Sequence, residues 1–141
     1  MCVMWLQWCV CLDVFVPHPG FLEVCRFTTS TRVWDRVNIT TTNEDRPYRT
    51  TQHTMTSVGL DLWVYLSADW SSSVTDELWR FTTSTHVWER VDTTGTTVSG
   101  GRSGHTMTSC GLDLWVHGGY TNTGEGDVYT ARTVLLLLLL H

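Results

Sequence analysis

The chain contains no lysine: all nine of its basic residues are arginine, against fourteen acidic residues and a formal net charge of −5. Binding along a nucleic-acid backbone needs a basic stripe that neutralises successive phosphates. With no such stripe, the sequence predicts no nucleic-acid partner. Long apolar runs are also missing. The run from Val134 to Leu140 is seven residues long, far short of the ~20 that cross a bilayer as a helix. Residues 134–141 therefore read as a low-complexity poly-Leu tail, and no membrane span is expected. The opening MCVMWLQWCVCL is apolar, but it lacks a positive n-region, and Asp13 follows without a small-residue cleavage pattern, which argues against a signal peptide. Five cysteines form no Cys-x-x-Cys pair, and their odd number leaves at least one thiol without an intrachain partner. That usage leans towards a reducing, cytoplasmic compartment. Asn38-Ile39-Thr40 matches the N-glycosylation pattern, but in so Thr-rich a chain it reads as accidental. What remains, at 141 residues with 42% hydrophobic and 16% charged, is an ordinary soluble globular chain about one domain long.

The chain does contain an internal repeat. Arg26-Phe27-Thr28-Thr29-Ser30-Thr31-Arg32-Val33-Trp34-Asp35-Arg36-Val37 returns almost unchanged from Arg80 to Val91, an offset of 54 residues. His53 to Val64 returns from His105 to Val116 at an offset of 52, with Cys110 as its one change. The two-residue difference falls in 38–52 and 92–104, whose Thr, Asn, Gly and Asp content reads as loops that tolerate deletion. Weaker echoes, Leu12 to Val16 against Leu112 to Val116 and Asp127-Val128-Tyr129 against Glu77-Leu78-Trp79, extend the register to three units. These are about 1–37, 53–91 and 105–131, the last without its final quarter.

Each unit holds four short runs of Val, Leu, Thr and aromatics broken by Gly, Asp, Ser and Asn, with no helix-length period. In the middle unit they fall near 53–58, 62–66, 77–82 and 86–91. Leu112, Leu114 and Val116 are expected on one face of a strand and Trp115 on the other, the pattern of a sheet packed on both sides. Gly59 supplies the positive φ of a hairpin turn. The fold class is all-β, and four-stranded antiparallel units at a period of ~50 stack radially as propeller blades.

These residues resemble the kelch-repeat family, in the broader class of galactose-oxidase-like and kelch-type propellers. The marks are Arg102-Ser103-Gly104-His105, the paired Gly118-Gly119 before Tyr120, and an aromatic spaced ahead of a Trp in Phe27 to Trp34 and Phe81 to Trp88. Departures are Leu66-Ser67 in place of the paired glycine, Arg49 one residue too far from His53, and Ala131 where an aromatic is expected. The resemblance implies a partial kelch-type β-propeller over 1–133, with about three blades and the last incomplete. It also implies that Trp34 and Trp88 pack between neighbouring blades, that His53 and His105 are partly buried and satisfied by backbone, and that the paired glycines sit where backbones crowd.

Nothing in the pattern assembles chemistry. The segment 99–104 has no phosphate-loop spacing, no pair of His or Cys has zinc spacing, and there is no Gly-x-Ser-x-Gly nor a Cys beside an identifiable base. Asp61 and Asp113 read as turn carboxylates. The expectation is therefore no catalytic residue, no metal and no cofactor. By analogy with kelch-like propellers, partner contacts are expected in the loops: Trp70, which has no repeat counterpart, in 67–76; Arg46, Tyr48 and Arg49 in 38–52; and Tyr120 at the head of 120–126. The expected function is a protein-interaction scaffold. The alternatives are a propeller fragment of a larger enzyme or carbohydrate-binding protein, and a truncated product without function. Closed propellers use about 4 to 8 blades, so three units imply either a piece of a longer protein or self-association that closes a ring.

Overall fold

A computed structural model describes residues 2–5, 8–11, 22–42, 45–47, 53–66, 77–92, 102–121 and 136–138. The strands among the described residues are arranged as three antiparallel sheets. The first sheet has the order β1 (Cys2–Trp5), β2 (Trp8–Cys11), β3 (Glu23–Thr28), β4 (Val33–Arg36). The second follows the same up-and-down order with β5 (Thr54–Val58), β6 (Asp61–Tyr65), β7 (Leu78–Thr82) and β8 (Val87–Val91). In the third, β10 (Asp113–Thr121) lies between β9 (Arg102–Cys110) and β11 (Leu136–Leu138). The place beside β10 that the repeat pattern gives to residues 127–129 is thus taken by three leucines near the chain's end, while 127–129 lie outside the described residues. Among the described residues the three sheets form an open series. In the second unit the strand limits fall within about one residue of the pattern read from the sequence, because Gly59 at φ +60° and the Thr82 to His86 turn interrupt the extended backbone there.

The sheets pack face to face, and the residue alternation of β6 shows how. Leu62, Val64 and the following Leu66 turn towards the first sheet, in a cluster with Leu22, Val24, Met55, Trp79, Phe81 and Trp88. Trp63 and Tyr65 turn the other way, joining Leu78 of the same sheet and Leu114 and Val116 of the third. From Leu62 to Tyr65 every residue of β6 is buried, as an extended chain with period two requires when both faces of its sheet are covered. At the inner edge β5 lies against β9, and the Thr56 hydroxyl donates to Ser109 Oγ at 3.3 Å.

At the outer edge the repeat is visible as paired charges. Glu23 meets Arg36 and Arg26 meets Asp35 in the first sheet; at the equivalent places Glu77 meets Arg90 and Arg80 meets Glu89 in the second. Each is a cross-strand pair on a solvated surface, contributing at most about 1 kcal/mol. They fix register more than stability. Arg80 also lies over the Trp63 ring, 5.9 Å from its centroid, which ties the outer charges to the buried interface.

Two expectations are corrected here. Trp34 does not pack between sheets: it is 47% exposed, whereas Trp88 is 2% exposed. Both tryptophans tilt against the preceding phenylalanine, at 5.1 Å from Phe27 and 5.0 Å from Phe81, so the local geometry is shared. The difference is the neighbour. Trp88 faces the first sheet, whereas no described residue covers the corresponding face of that first sheet. Leu112 is not on the buried face with Leu114 and Val116 either. Like Leu60, it is a hairpin-turn residue one step before its strand begins, and the two are 66% and 85% exposed.

The contrast between the two tryptophans is testable. Trp88→Ala is expected to cost ~3 to 5 kcal/mol in denaturant unfolding, and Trp34→Ala no more than ~1 kcal/mol. Equal costs would show that both rings are buried in solution.

Candidate functional site

Two groups of residues do work that the repeats' apolar residues cannot. The first is a buried polar centre where β9, β10 and β6 meet. Arg102 is 3% exposed, and its Nη1 donates to the Gly118 carbonyl at 2.6 Å. His105 Nδ1 lies 3.1 Å from the Arg102 carbonyl, so this nitrogen carries the proton and donates. The His105 ring stands edge-on to Tyr65 of the second sheet, with centroids 4.9 Å apart. Burial, the largest cause, together with the charges of Arg102 and His53, pushes the His105 pKa down to about 4, against the opposing hydrogen bonds to the Arg102 and Tyr65 backbone. At neutral pH His105 is an uncharged strut that links β9 to β6 of the preceding sheet. His53, its counterpart in the second unit, is buried as well.

Gly118 and Gly119 both lie within β10 at φ +74° and +85°. A Cβ built on Gly118 would meet nothing within 4 Å, so the expectation of steric crowding is corrected for this residue. Glycine is required there by the backbone angle, which an L residue adopts only at a cost of about 1 to 2 kcal/mol. The turned backbone presents the Gly118 carbonyl to Arg102.

The second group is the segment 37–42, which leaves β4 and crosses onto the outer strand of the next sheet, together with Arg46. Ile39 packs on the cluster between the first and second sheets. Thr40 N donates to the His86 carbonyl at 3.0 Å, and its hydroxyl lies 3.0 Å and 3.1 Å from the Thr85 and His86 carbonyls. Trp88 N donates to Thr41 Oγ1 at 2.6 Å. Arg46 fastens this strap from behind, with Nε donating to the Thr41 carbonyl at 2.8 Å and Nη2 to the Ile39 carbonyl at 3.0 Å. The strap satisfies an edge strand that would otherwise present bare backbone groups.

The structure distributes the sequence-derived candidates unevenly. Arg46, expected at a partner surface, is half-buried and engaged with its own chain's strap. Tyr120, expected in a loop, is a strand residue of β10 opposite Ser103. Trp70, Tyr48 and Arg49 lie outside the described residues. Thr40 and Thr41 were legible only as loop. Their signal was the persistence of the 54-residue offset through Val37-Asn38 and Val91-Asp92 to Thr40 and Thr94. Among the described residues no group of three or more His, Cys, Asp or Glu side chains is placed to hold a metal ion, and no helix is long and apolar enough to cross a membrane, which says nothing of a β-barrel.

No family model matches the chain. It is, however, 35% identical over 106 residues to a zebrafish (Danio rerio) protein named Rab9 effector protein with kelch motifs, an alignment covering 72% of this chain and 29% of that protein. The repeats described above are therefore of kelch type, as their Arg-x-x-His, paired-glycine and aromatic-to-Trp marks resemble. The chain spans less than a third of the length of this relative.

The buried histidine gives a pH dependence with a definite sign. Above about pH 6.5, the ordinary histidine value, both folded and unfolded chains carry the neutral ring. As the pH falls from there towards 4, the unfolded chain takes up the proton first, so stability declines across this window by up to about 3 kcal/mol. Urea melts between pH 7.5 and 4 are expected to show that decline, with a flatter profile for His105→Gln. A wild-type profile flat over the window would contradict the buried neutral ring.

Proposed function

We propose that the three sheets are successive blades of a kelch-type propeller, about three in this chain with the last incomplete, and that the chain acts as a protein-interaction scaffold with no catalysis of its own. The observation that supports this is the division of labour among its residues. Aromatic, aliphatic and buried polar side chains hold one sheet to the next, while the connections at the sheet ends are free to vary. The kelch-motif relative supports the same reading.

Partner contact falls to the connections, with Trp70 in 67–76 as the anchor and Tyr48 and Arg49 as a second contact. A large aromatic with no repeat counterpart adds contact area without contributing to the repeated packing. Arg46 supports this surface indirectly by holding the 39–41 backbone in place. The partner to examine first is a Rab GTPase, because the relative's name describes it as an effector of one.

The test uses the full chain, residues 1–141, titrated onto immobilised Rab9 loaded with GDP or a GTP analogue. Saturable binding is expected, and Trp70→Ala should weaken it at least about tenfold while leaving the thermal midpoint unchanged. Binding that is indifferent to Trp70→Ala would remove the loop anchor. Absence of binding in both nucleotide states would remove Rab9 as the partner.

A further inference from the structure

The strap that crosses onto β8 has a receptor made chiefly of backbone, and this receptor occurs twice. In the second sheet it consists of the Thr85 and His86 carbonyls and the Trp88 amide. It is shaped by the turn Thr82-Thr83-Ser84-Thr85-His86, in which His86 N donates to the Thr82 carbonyl at 2.9 Å and His86 takes the unusual φ of 59°. In the first sheet the turn Thr28-Thr29-Ser30-Thr31-Arg32 has the same four leading residues, the same closing bond, from Arg32 N to the Thr28 carbonyl at 2.7 Å, and the same left-handed residue, Arg32 at φ 57°. Positive φ at a non-glycine residue is uncommon; its repetition at equivalent positions marks a conserved local shape within this chain. The Thr31 and Arg32 carbonyls and the Trp34 amide thus repeat the three backbone groups that hold Thr40 and Thr41.

The two copies differ in occupancy. On the second sheet the strap is in place and Trp88 is buried; on the first, no described residue takes the strap's position, all four residues of β4 are exposed, and Val33 and Trp34 are 49% and 47% exposed. The chain's own strap defines what fits. The occupant must be extended, so that its backbone amide reaches the Arg32 carbonyl. It must carry a hydroxyl that donates to the Thr31 and Arg32 carbonyls, and a second hydroxyl on the next residue that accepts from Trp34 N. It must place an apolar residue just before them, in the position of Ile39, against the apolar side of Trp34 and Phe27.

We infer that the edge of β4 is an open strap-binding site, and that its occupant is an extended apolar-Thr-Thr segment of a partner chain, docked as 39–41 is docked on β8. This is strand-edge recognition of the kind in which main-chain bonds supply affinity and alternate side chains supply specificity. It does not rest on the assignment of partner contact to the connections above.

The test is titration of ¹⁵N-labelled 1–141 with a capped peptide of residues 37–42, Val-Asn-Ile-Thr-Thr-Thr, followed by heteronuclear NMR. Saturable shifts are expected at the amides of 31–34 and the Trp34 indole, with a Kd on the order of 1 mM for so short a segment. A peptide carrying Thr40→Val and Thr41→Val should bind at least about tenfold more weakly, the loss expected when a backbone donor and acceptor lose their hydroxyl partners. No saturable shift at 31–34, shifts confined to 85–88, or equal binding of the valine peptide would overturn the proposal. So would shifts at 31–34 that grow with protein concentration in the absence of peptide, which would make a second copy of this chain the occupant.

Discussion

The second sheet is buried on both faces, and each face needs a neighbour that only another repeat supplies. A β-strand presents alternate residues to opposite sides, so the run Leu62, Trp63, Val64, Tyr65 of β6 cannot be sheltered by one partner. Leu62 and Val64 require Leu22 and Val24 of the first sheet; Trp63 and Tyr65 require Leu114 and Val116 of the third. Stability in such an array is a sum over nearest neighbours. The middle repeat has two interfaces, and each outer one has a single interface among the described residues.

Apolar packing alone leaves the sheets free to slide, and the polar residues remove that freedom. At the inner edge Arg102 and neutral His105 fasten β9 to β10 and bring β9 against Tyr65 of the preceding sheet. At the outer edge Thr40 and Thr41, held by Arg46, fasten the first unit to β8 of the second. A buried polar group without a partner costs about 1 to 3 kcal/mol, so the groups in these bonds disfavour any register that separates them. The ion pairs on the outer strands add direction at low energetic weight. The proposed scaffold role would draw on this rigidity, because loops positioned by a firm frame lose less freedom on binding.

Much of the fold was legible because repetition supplied an internal comparison. The near-identical runs around Trp34 and Trp88, together with the alternation in Leu112 to Val116, lead to four-stranded all-β units without reference to any other protein. The errors fall where the sequence repeats but the neighbourhood does not. Trp34 and Trp88 share residue type, local turn and phenylalanine contact, and differ in what lies across from them, a tertiary fact that periodicity cannot carry. Leu112 reads as a strand residue because strand alternation extends to it, yet the hairpin at Gly111 claims it for the turn. Gly118 was correctly singled out for the wrong physical reason, since open space around its missing Cβ and a φ of +74° make the requirement conformational. Arg46 shows a further limit: a half-buried arginine bound to two carbonyls of its own strap and a solvated arginine awaiting a partner have the same letter.

The central claim is that the second repeat is held by residues of the first, through the strap as well as through the apolar faces. Residue-resolved amide hydrogen exchange on the intact chain tests it most directly, because Trp88 and Trp34 occupy equivalent edge positions in near-identical sequences and differ in whether a strap is bound. The account predicts that the Trp88 and Thr40 amides exchange at least about a hundredfold more slowly than the Trp34 amide, as expected when an edge group is protected by a bond that opens only with the sheet interface. Equal, rapid exchange at Trp88 and Trp34 would mean that the strap does not hold the second repeat, and the account of how successive repeats are joined would fall.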